Sequence, residues 1–238
     1  MVLILLPGMD GTGRLFLRLL PLLPEWLAAR VIAYPNDRKL DIDALASYVC
    51  GQLDDNRDYV LLAESFSGPV AFAVAQRAPR NLKKIIFVAS FLSSPRPWLL
   101  RLLSLFPLSR LLRIPLPRFL LQRFLFGKQV DNVLLDLFRQ TMKQVSTHVL
   151  AFRLRQLASL TLPDTVINLP ATCIQAQQDK LVPARHAALI QSLVSPCEQV
   201  AIAGPHFLLQ ARPAECAAEI VKSVQQQMCR GGEVLGAR

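Results

Sequence analysis

An α/β fold, built on a mostly parallel sheet of about six strands flanked by helices, follows from three features of this sequence. Short apolar runs alternate with helical stripes over most of the chain. The runs at 2–6, 59–62 and 84–89 are continuous in apolar residues, as strands read when helices cover both faces of a parallel sheet. After Ser90 the alternation stops, and it resumes only past residue 169, which marks an insertion of another character.

The elements are expected in this order. A strand over 2–6 leads to a helix from about Arg14, and a strand over 31–34 leads to a helix from Asp41. In that helix Ile42, Leu45, Val49 and Leu53 form one stripe, and the Asp41 carboxylate can accept the free amides of its first turn. The strand over 59–62 runs through small residues around Ser65 into a helix ending near Arg77, and a strand follows over 84–89. From 91 to 169 the chain reads as several helices broken by proline, without a strand. Strands over 172–176 and 199–203 then alternate with helices from about Ala184 and Arg212, where Pro213 suits the first turn. The expected organisation is a core of 1–90 with 170–230, a helical cap over 91–169, and a flexible tail over 231–238.

With 238 residues and 52% hydrophobic content, the chain can bury a large core and is not disordered. Cys50, Cys173, Cys197, Cys216 and Cys229 are scattered and lack the paired spacing of a zinc site or disulfide framework, which fits a reducing, cytoplasmic setting. No basic residue precedes Arg14, so the N-terminus reads as a buried strand and not as an export signal. The richest apolar stretch, 98–126, is interrupted by arginines and by Pro107, Pro115 and Pro117, whereas a membrane span needs roughly 20 nearly uninterrupted apolar residues.

A net charge of +10 favours anionic partners, and its distribution narrows them. Arg96, Arg101, Arg110, Arg113, Arg118, Arg123 and Lys128 lie in 95–129 without one acidic residue. The intervals between them carry leucine, phenylalanine and proline in the pattern of short amphipathic helices. A phosphate-tracking surface brings polar and stacking residues with its charges, so nucleic acid is set aside as a partner. Acyl or lipid-like ligands suit the segment, with an anionic membrane surface or an acyl carrier protein as docking partners.

Chemistry concentrates at the ends of the expected strands. Ser65 sits where an apolar run turns sharply through small residues into a helix, a setting that exposes a serine hydroxyl as a nucleophile, although an ordinary helix-capping serine reads the same way in isolation. The small residues Ala63 and Ser67 flank it, and Gly68 follows. A serine needs a base, and His148, His186 and His206 are available. The first two lie within helices and read as structural, whereas His206 follows a strand in a glycine-proline turn, above the strand ends where Ser65 projects. Asp179 occupies the loop after the preceding strand, where its carboxylate can hold the other imidazole nitrogen. The glycine-rich LPGMDGTG loop after the first strand suggests an oxyanion hole, with the amides of Met9 and Phe66 as donors. It lacks the P-loop lysine and the Gly-x-Gly-x-x-Gly spacing of phosphate loops. Asp10 reads as a turn former, and Glu64 as a support for the turn.

Taken together, LPGMDGTG, AESFSG, DKLVP and GPHF resemble the α/β-hydrolase superfamily over nearly the whole chain, and within it the small bacterial serine carboxylesterases, including carrier-protein methyl ester esterases. The resemblance implies Ser65 as nucleophile, His206 as base, Asp179 as its acid partner, and Met9 and Phe66 as oxyanion donors. It implies two-step acyl transfer from a small ester through an acyl-enzyme, with no metal or organic cofactor. An acyltransferase using the same residues, or a lipid-binding protein docking on membrane or carrier protein, are the alternatives. Phe106, Phe119, Phe124 and Phe126 of the cap are the candidate lining of an acyl pocket. Two departures stand out: the first strand leads directly into the oxyanion loop, where the family has two antiparallel strands before it, and Leu6-Pro7-Gly8 replaces the His-Gly of many relatives.

Overall fold

The computed structural model describes residues 1–54, 56–127 and 130–235, with side chains as far as Cys229. Six strands, β1 (Val2–Leu6), β2 (Ala28–Val31), β3 (Tyr59–Glu64), β4 (Leu82–Val88), β5 (Ile167–Ala176) and β6 (Val194–Ile202), form one sheet. Their order is β2-β1-β3-β4-β5-β6, and every neighbouring pair is parallel.

The continuous apolar runs are explained by burial on both faces. Successive side chains of a strand point to opposite sides. Ile4, Leu6, Leu61, Ala63, Ile85 and Phe87 join one core with α1 (Ile42–Cys50) and α2 (Ser67–Gln76). Their neighbours Leu3, Leu5, Val60, Leu62, Ile86 and Val88 join a second core on the other face, with Phe16, Leu19, Ile220 and Val224. Asp41 caps α1 as its position suggests, its Oδ1 accepting from Ala44 N at 2.8 Å.

Boundaries differ from expectation at the sheet edges. β2 begins three residues before the expected 31–34, because it is an edge strand whose side chains are largely exposed, and polarity does not mark it. The buried Ile32 and Tyr34 belong to the loop that follows. β6, at the other edge, starts at Val194 and not at 199, again with mostly exposed residues in front of the apolar ones. The helix expected from Arg14 is replaced by two 3-10 turns, Arg14–Arg18 and Leu20–Leu22, because Pro21 and Pro24 prevent a longer one.

Between β4 and β5 the chain makes a helical excursion: α3 (Pro97–Ser104), α4 (Leu108–Leu111), α5 (Arg118–Leu121), a π-helical turn at Gln122–Phe126, α6 (Asn132–Lys143) and α7 (Thr147–Ser159). A third core of Leu121, Phe126, Leu134, Leu135 and Phe138 packs it against Leu15 of the body. Arg18 adds an ion pair to Asp131 at 2.6 Å. The chain closes with α8 (Arg185–Leu193), α9 (Leu208–Ala211) and α10 (Pro213–Leu235). α10 carries Gly231 and Gly232 within it, at roughly 1 kcal/mol each relative to alanine. α10 thus continues into the tail expected over 231–238, of which 236–238 lie outside the described residues, as does Lys128. Among the described residues no helix is long and apolar enough to cross a membrane.

Candidate active site

Every sequence-predicted site residue of the core lies at the carboxyl edge of the sheet. β2 pairs with one side of β1 and β3 with the other, so the winding reverses at β1 and opens a crevice beside the loops after β1 and β3. Loop 7–13 and Ser65 occupy that crevice, and Asp179 and His206 follow β5 and β6.

Ser65 has φ of 47°, a left-handed conformation that is uncommon for a residue with a side chain and that a sharp strand-to-helix turn imposes. Its backbone is held on both sides. Ser65 N donates to Val88 O at 2.9 Å, and its carbonyl accepts from Gly68 N at 3.1 Å and Ser90 Oγ at 2.8 Å. The tight contact falls at Gly68, where a Cβ would sit 2.1 Å from Ser90 Oγ and 2.6 Å from Phe91 O. Ala63 and Ser67 are buried, but Ser67 does more than stay small. Its hydroxyl donates to Pro7 O, which leaves the Tyr34 hydroxyl to donate to Ser67 Oγ. The turn is thereby tied to the glycine-rich loop.

The three candidate residues form one relay. Ser65 Oγ lies 2.9 Å from His206 Nε2, and His206 Nδ1 lies 2.7 Å from Asp179 Oδ2. Asp179 Oδ1 accepts from the amides of Leu181 and Val182, both at 2.8 Å, which orients the carboxylate and leaves Oδ2 for the imidazole. Because the carboxylate oxygen accepts, Nδ1–H donates and Nε2 is free to take the serine proton. The side chains of His206 and Asp179 are 7% and 5% exposed, so little water competes for these bonds. His148 is exposed on α7 and His186 is buried on α8 against Phe91, and the hydrogen bonds of the relay run through neither.

The glycine-rich loop turns through Gly8 to Gly11, with Gly11 N donating to Gly8 O at 3.0 Å. Asp10 Oδ2 accepts from Thr12 N at 2.9 Å and Thr12 Oγ1 at 2.6 Å, the turn-forming role read from sequence. Among the described residues the amides of Met9 and Phe66 have no protein acceptor, as donors kept for a ligand must be.

Arg153 of α7 was missed by sequence reading and lies at the centre of this loop. It is 2% exposed; its Nη1 donates to Met9 O at 2.8 Å and Asp10 O at 3.1 Å, and its Nη2 donates to Pro35 O at 3.2 Å. Its guanidinium also faces the rings of Tyr34 and Phe66. Burial pulls its pKa down, opposed by Tyr34 and Asp10. Gly11, at φ 75°, makes room for it, since a Cβ there would meet Nη1 at 2.5 Å. A signal was present: Val149, Arg153 and Leu157 fall four apart on the buried stripe of α7.

Glu64, directly before the nucleophile candidate, is 6% exposed, and its Oε1 accepts from Gln210 Nε2 at 2.8 Å. Burial pushes its pKa up to about 7, with Asp10 raising it further, while the Gln210 bond, His206 and the Gly8 amide hold it down. Of the four phenylalanines expected to line an acyl pocket, only Phe126 is brought to the relay. It packs on Phe207 at 4.8 Å and Phe138 at 5.3 Å, and the Phe207 ring meets His206 at 5.8 Å. Phe106, Phe119 and Phe124 are exposed. Among the described residues no His, Cys, Asp or Glu cluster can hold a metal ion.

A family model described as the alpha/beta hydrolase family matches residues 3–219. No curated protein matches the sequence. Several solved structures share its fold at low identity. An esterase from Exiguobacterium antarcticum has TM-score 0.77 at 15% identity, covering 94% of this chain and 91% of its own. A lipase-esterase related protein from Clostridium acetobutylicum has TM-score 0.74 at 17% identity, covering 93% of each. The enol-lactonase from Burkholderia xenovorans LB400 has TM-score 0.75 at 15% identity, covering 94% and 91%. With the family match spanning both halves of the sheet and all four loops of the site, this chain belongs to the alpha/beta hydrolase family.

Proposed function

We propose that this protein is a serine esterase that cleaves carboxylic esters of apolar acids through an acyl-enzyme. The observation that carries the reading is the unbroken relay from Ser65 Oγ through His206 to Asp179 Oδ2, with bonds of 2.9 and 2.7 Å, beside two amides without acceptors among the described residues. Ser65 Oγ attacks the ester carbonyl as His206 Nε2 takes its proton, and the amides of Met9 and Phe66 receive the developing oxyanion. The imidazolium returns that proton to the departing alcohol. Water activated by His206 then attacks the acyl-serine, releasing the acid and restoring the serine. Asp179 holds the ring and stabilises its charged form. The aromatic group of Phe126, Phe138 and Phe207 beside the base supplies an apolar wall for the acyl chain. The names esterase and enol-lactonase borne by similar structures support ester cleavage.

The test is turnover of short and medium p-nitrophenyl esters together with fluorophosphonate labelling. Ser65→Ala is expected to lose both, with a fall in kcat of at least about 10³. His206→Ala is expected to slow both strongly, and unchanged turnover in Ser65→Ala overturns the reading. The same aromatic wall, by excluding water, favours acyl transfer to an alcohol as a second reading. Product analysis with competing alcohols separates them: ester formation supports transfer, and acid alone under all conditions removes it.

A further inference from the structure

The helical excursion presents a surface that ester cleavage does not explain. Within 96–124, Trp98, Leu105, Ile114 and Phe119 are 69%, 80%, 64% and 65% exposed, and Leu102, Phe106, Leu111, Leu116 and Phe124 are exposed as well. Arg101, Arg110, Arg113, Arg118 and Arg123 are exposed among them. None of the ion pairs of the described residues involves these five arginines. Uncharged polar side chains are limited to Ser104, Ser109 and Gln122. Soluble proteins rarely expose apolar side chains in such density unless something covers them.

We propose that this face docks the protein on an anionic lipid bilayer. The arrangement of the residues selects this occupant. A protein partner is met by an apolar centre with charges at the rim. Here arginines recur between the apolar side chains along α3, α4, α5 and the π-helical turn, so the two kinds separate only by depth. A bilayer boundary provides that separation, with guanidinium groups at the phosphates and Leu105, Ile114 and Phe119 reaching toward the acyl region. An indole at the edge suits the headgroup level. Six arginines without an acidic residue in 96–124 supply the attraction to anionic lipid. The proposal goes beyond the esterase reading and does not rest on it, because binding is read without turnover.

The experiment is co-sedimentation of the full chain with phosphatidylcholine vesicles, with and without about one-third phosphatidylglycerol, at low and high salt. A Trp26→Phe background makes Trp98 the sole indole, and its emission reports insertion. Expected are binding to the anionic vesicles that weakens with salt, a blue shift of Trp98, and at least about tenfold weaker binding for Arg110→Gln with Arg113→Gln. Leu105→Ser with Ile114→Ser is expected to weaken binding while keeping the parent melting curve, since both side chains are exposed. No binding at low salt, an unshifted Trp98, or equal binding by parent and variants overturns the proposal. Self-association abolished by Leu105→Ser and Ile114→Ser would assign the face to a second copy instead. Preferential capture of an acidic carrier protein in competition with vesicles would assign it to that partner.

Discussion

Two buried charged residues beside Ser65 separate what holds the site from what reacts in it. Arg153 touches no reacting atom; it fixes the Met9 and Asp10 carbonyls, and the Asp10 carbonyl shares its peptide plane with Gly11 N–H, which donates to Gly8 O, the carbonyl in the plane of the Met9 N–H. Arg153→Met keeps length and removes the fork. The expected result is a kcat lowered by about 10², the range for losing one oxyanion donor, with KM changed much less. Arg153→Lys is expected to rescue little, because one ammonium cannot reproduce the planar fork. A role confined to folding would lower Tm and leave kcat of the folded variant at the parent level. Glu64 makes a different prediction. Its carboxyl is raised from 4.5 to about 7, so the folded state binds its proton more tightly than the unfolded chain does. The stability this contributes is fully present below pH 4.5 and lost as pH rises through about 7, a change on the order of 3 kcal/mol for so buried a group. Glu64→Gln is expected to flatten the loss between pH 5 and 8 in urea unfolding, to an extent of that order. Its new amide can donate to Gln210 Oε1, which has no partner among the described residues. Parallel pH dependences for parent and variant would remove Glu64 as the cause.

At the scale of elements, the turn between β3 and α2 is held by closeness of backbone to backbone. Gly68→Ala places a methyl group within 2.6 Å of Phe91 O and nearer still to Ser90 Oγ, so α2 or the β4 terminus must shift. Destabilisation of about 1–3 kcal/mol is expected from such overpacking, with kcat lowered as Ser65 moves from His206. Ser90→Ala together with Gly68→Ala is expected to recover part of the loss, and full activity in Gly68→Ala alone would refute the contact. How legible each element was depends on what buries it. β1, β3 and β4 are covered on both faces, so hydrophobicity alone located them. β2 and β6 are edges whose side chains, apart from Val194 and Ile202, are largely exposed, so hydrophobicity does not mark where their pairing begins. Ser65, Asp179 and His206 were legible because strand ends and turn residues place them. Arg153 was not, because a buried arginine on a helix acquires meaning only from three carbonyls supplied by distant loops. The exposure of Phe106, Phe119 and Phe124 was equally hidden, since periodicity gives a face but not what lies opposite it.

For the whole molecule, the question is whether the helical excursion folds with the body or as a separate unit. The links that cross between them include the Arg153 bonds to loop 7–13 and Pro35, the Arg18–Asp131 pair, the Phe207 N bond to Leu125 O, and the apolar packing of Leu134 and Leu135 on Leu15 and of Phe126 and Phe138 on Phe207. The ion pair is part-exposed and contributes little, although Arg18 first, then the Leu134 amide, lowers the Asp131 pKa. The buried links dominate, and they end on loops that carry the relay. The excursion and body are therefore expected to unfold together. The two tryptophans read this directly, because Trp98 lies in α3 and Trp26 precedes β2. In the Trp26→Phe background, Trp98 emission reports the excursion while far-ultraviolet circular dichroism reports the whole chain, and the two melts should coincide. Phe138→Ala removes a ring that is 9% exposed, at an expected cost of about 3–5 kcal/mol. In a chain of this size that lowers the shared midpoint by roughly 10 °C, and it should do so without splitting the transition. Because Phe138 supports Phe207, and Phe207 lies against His206, the same variant should lose the proposed esterase activity before it unfolds. A Trp98 transition well below the dichroism midpoint would make the excursion an independent unit. His206 would then be held by its own loop and by Asp179 alone.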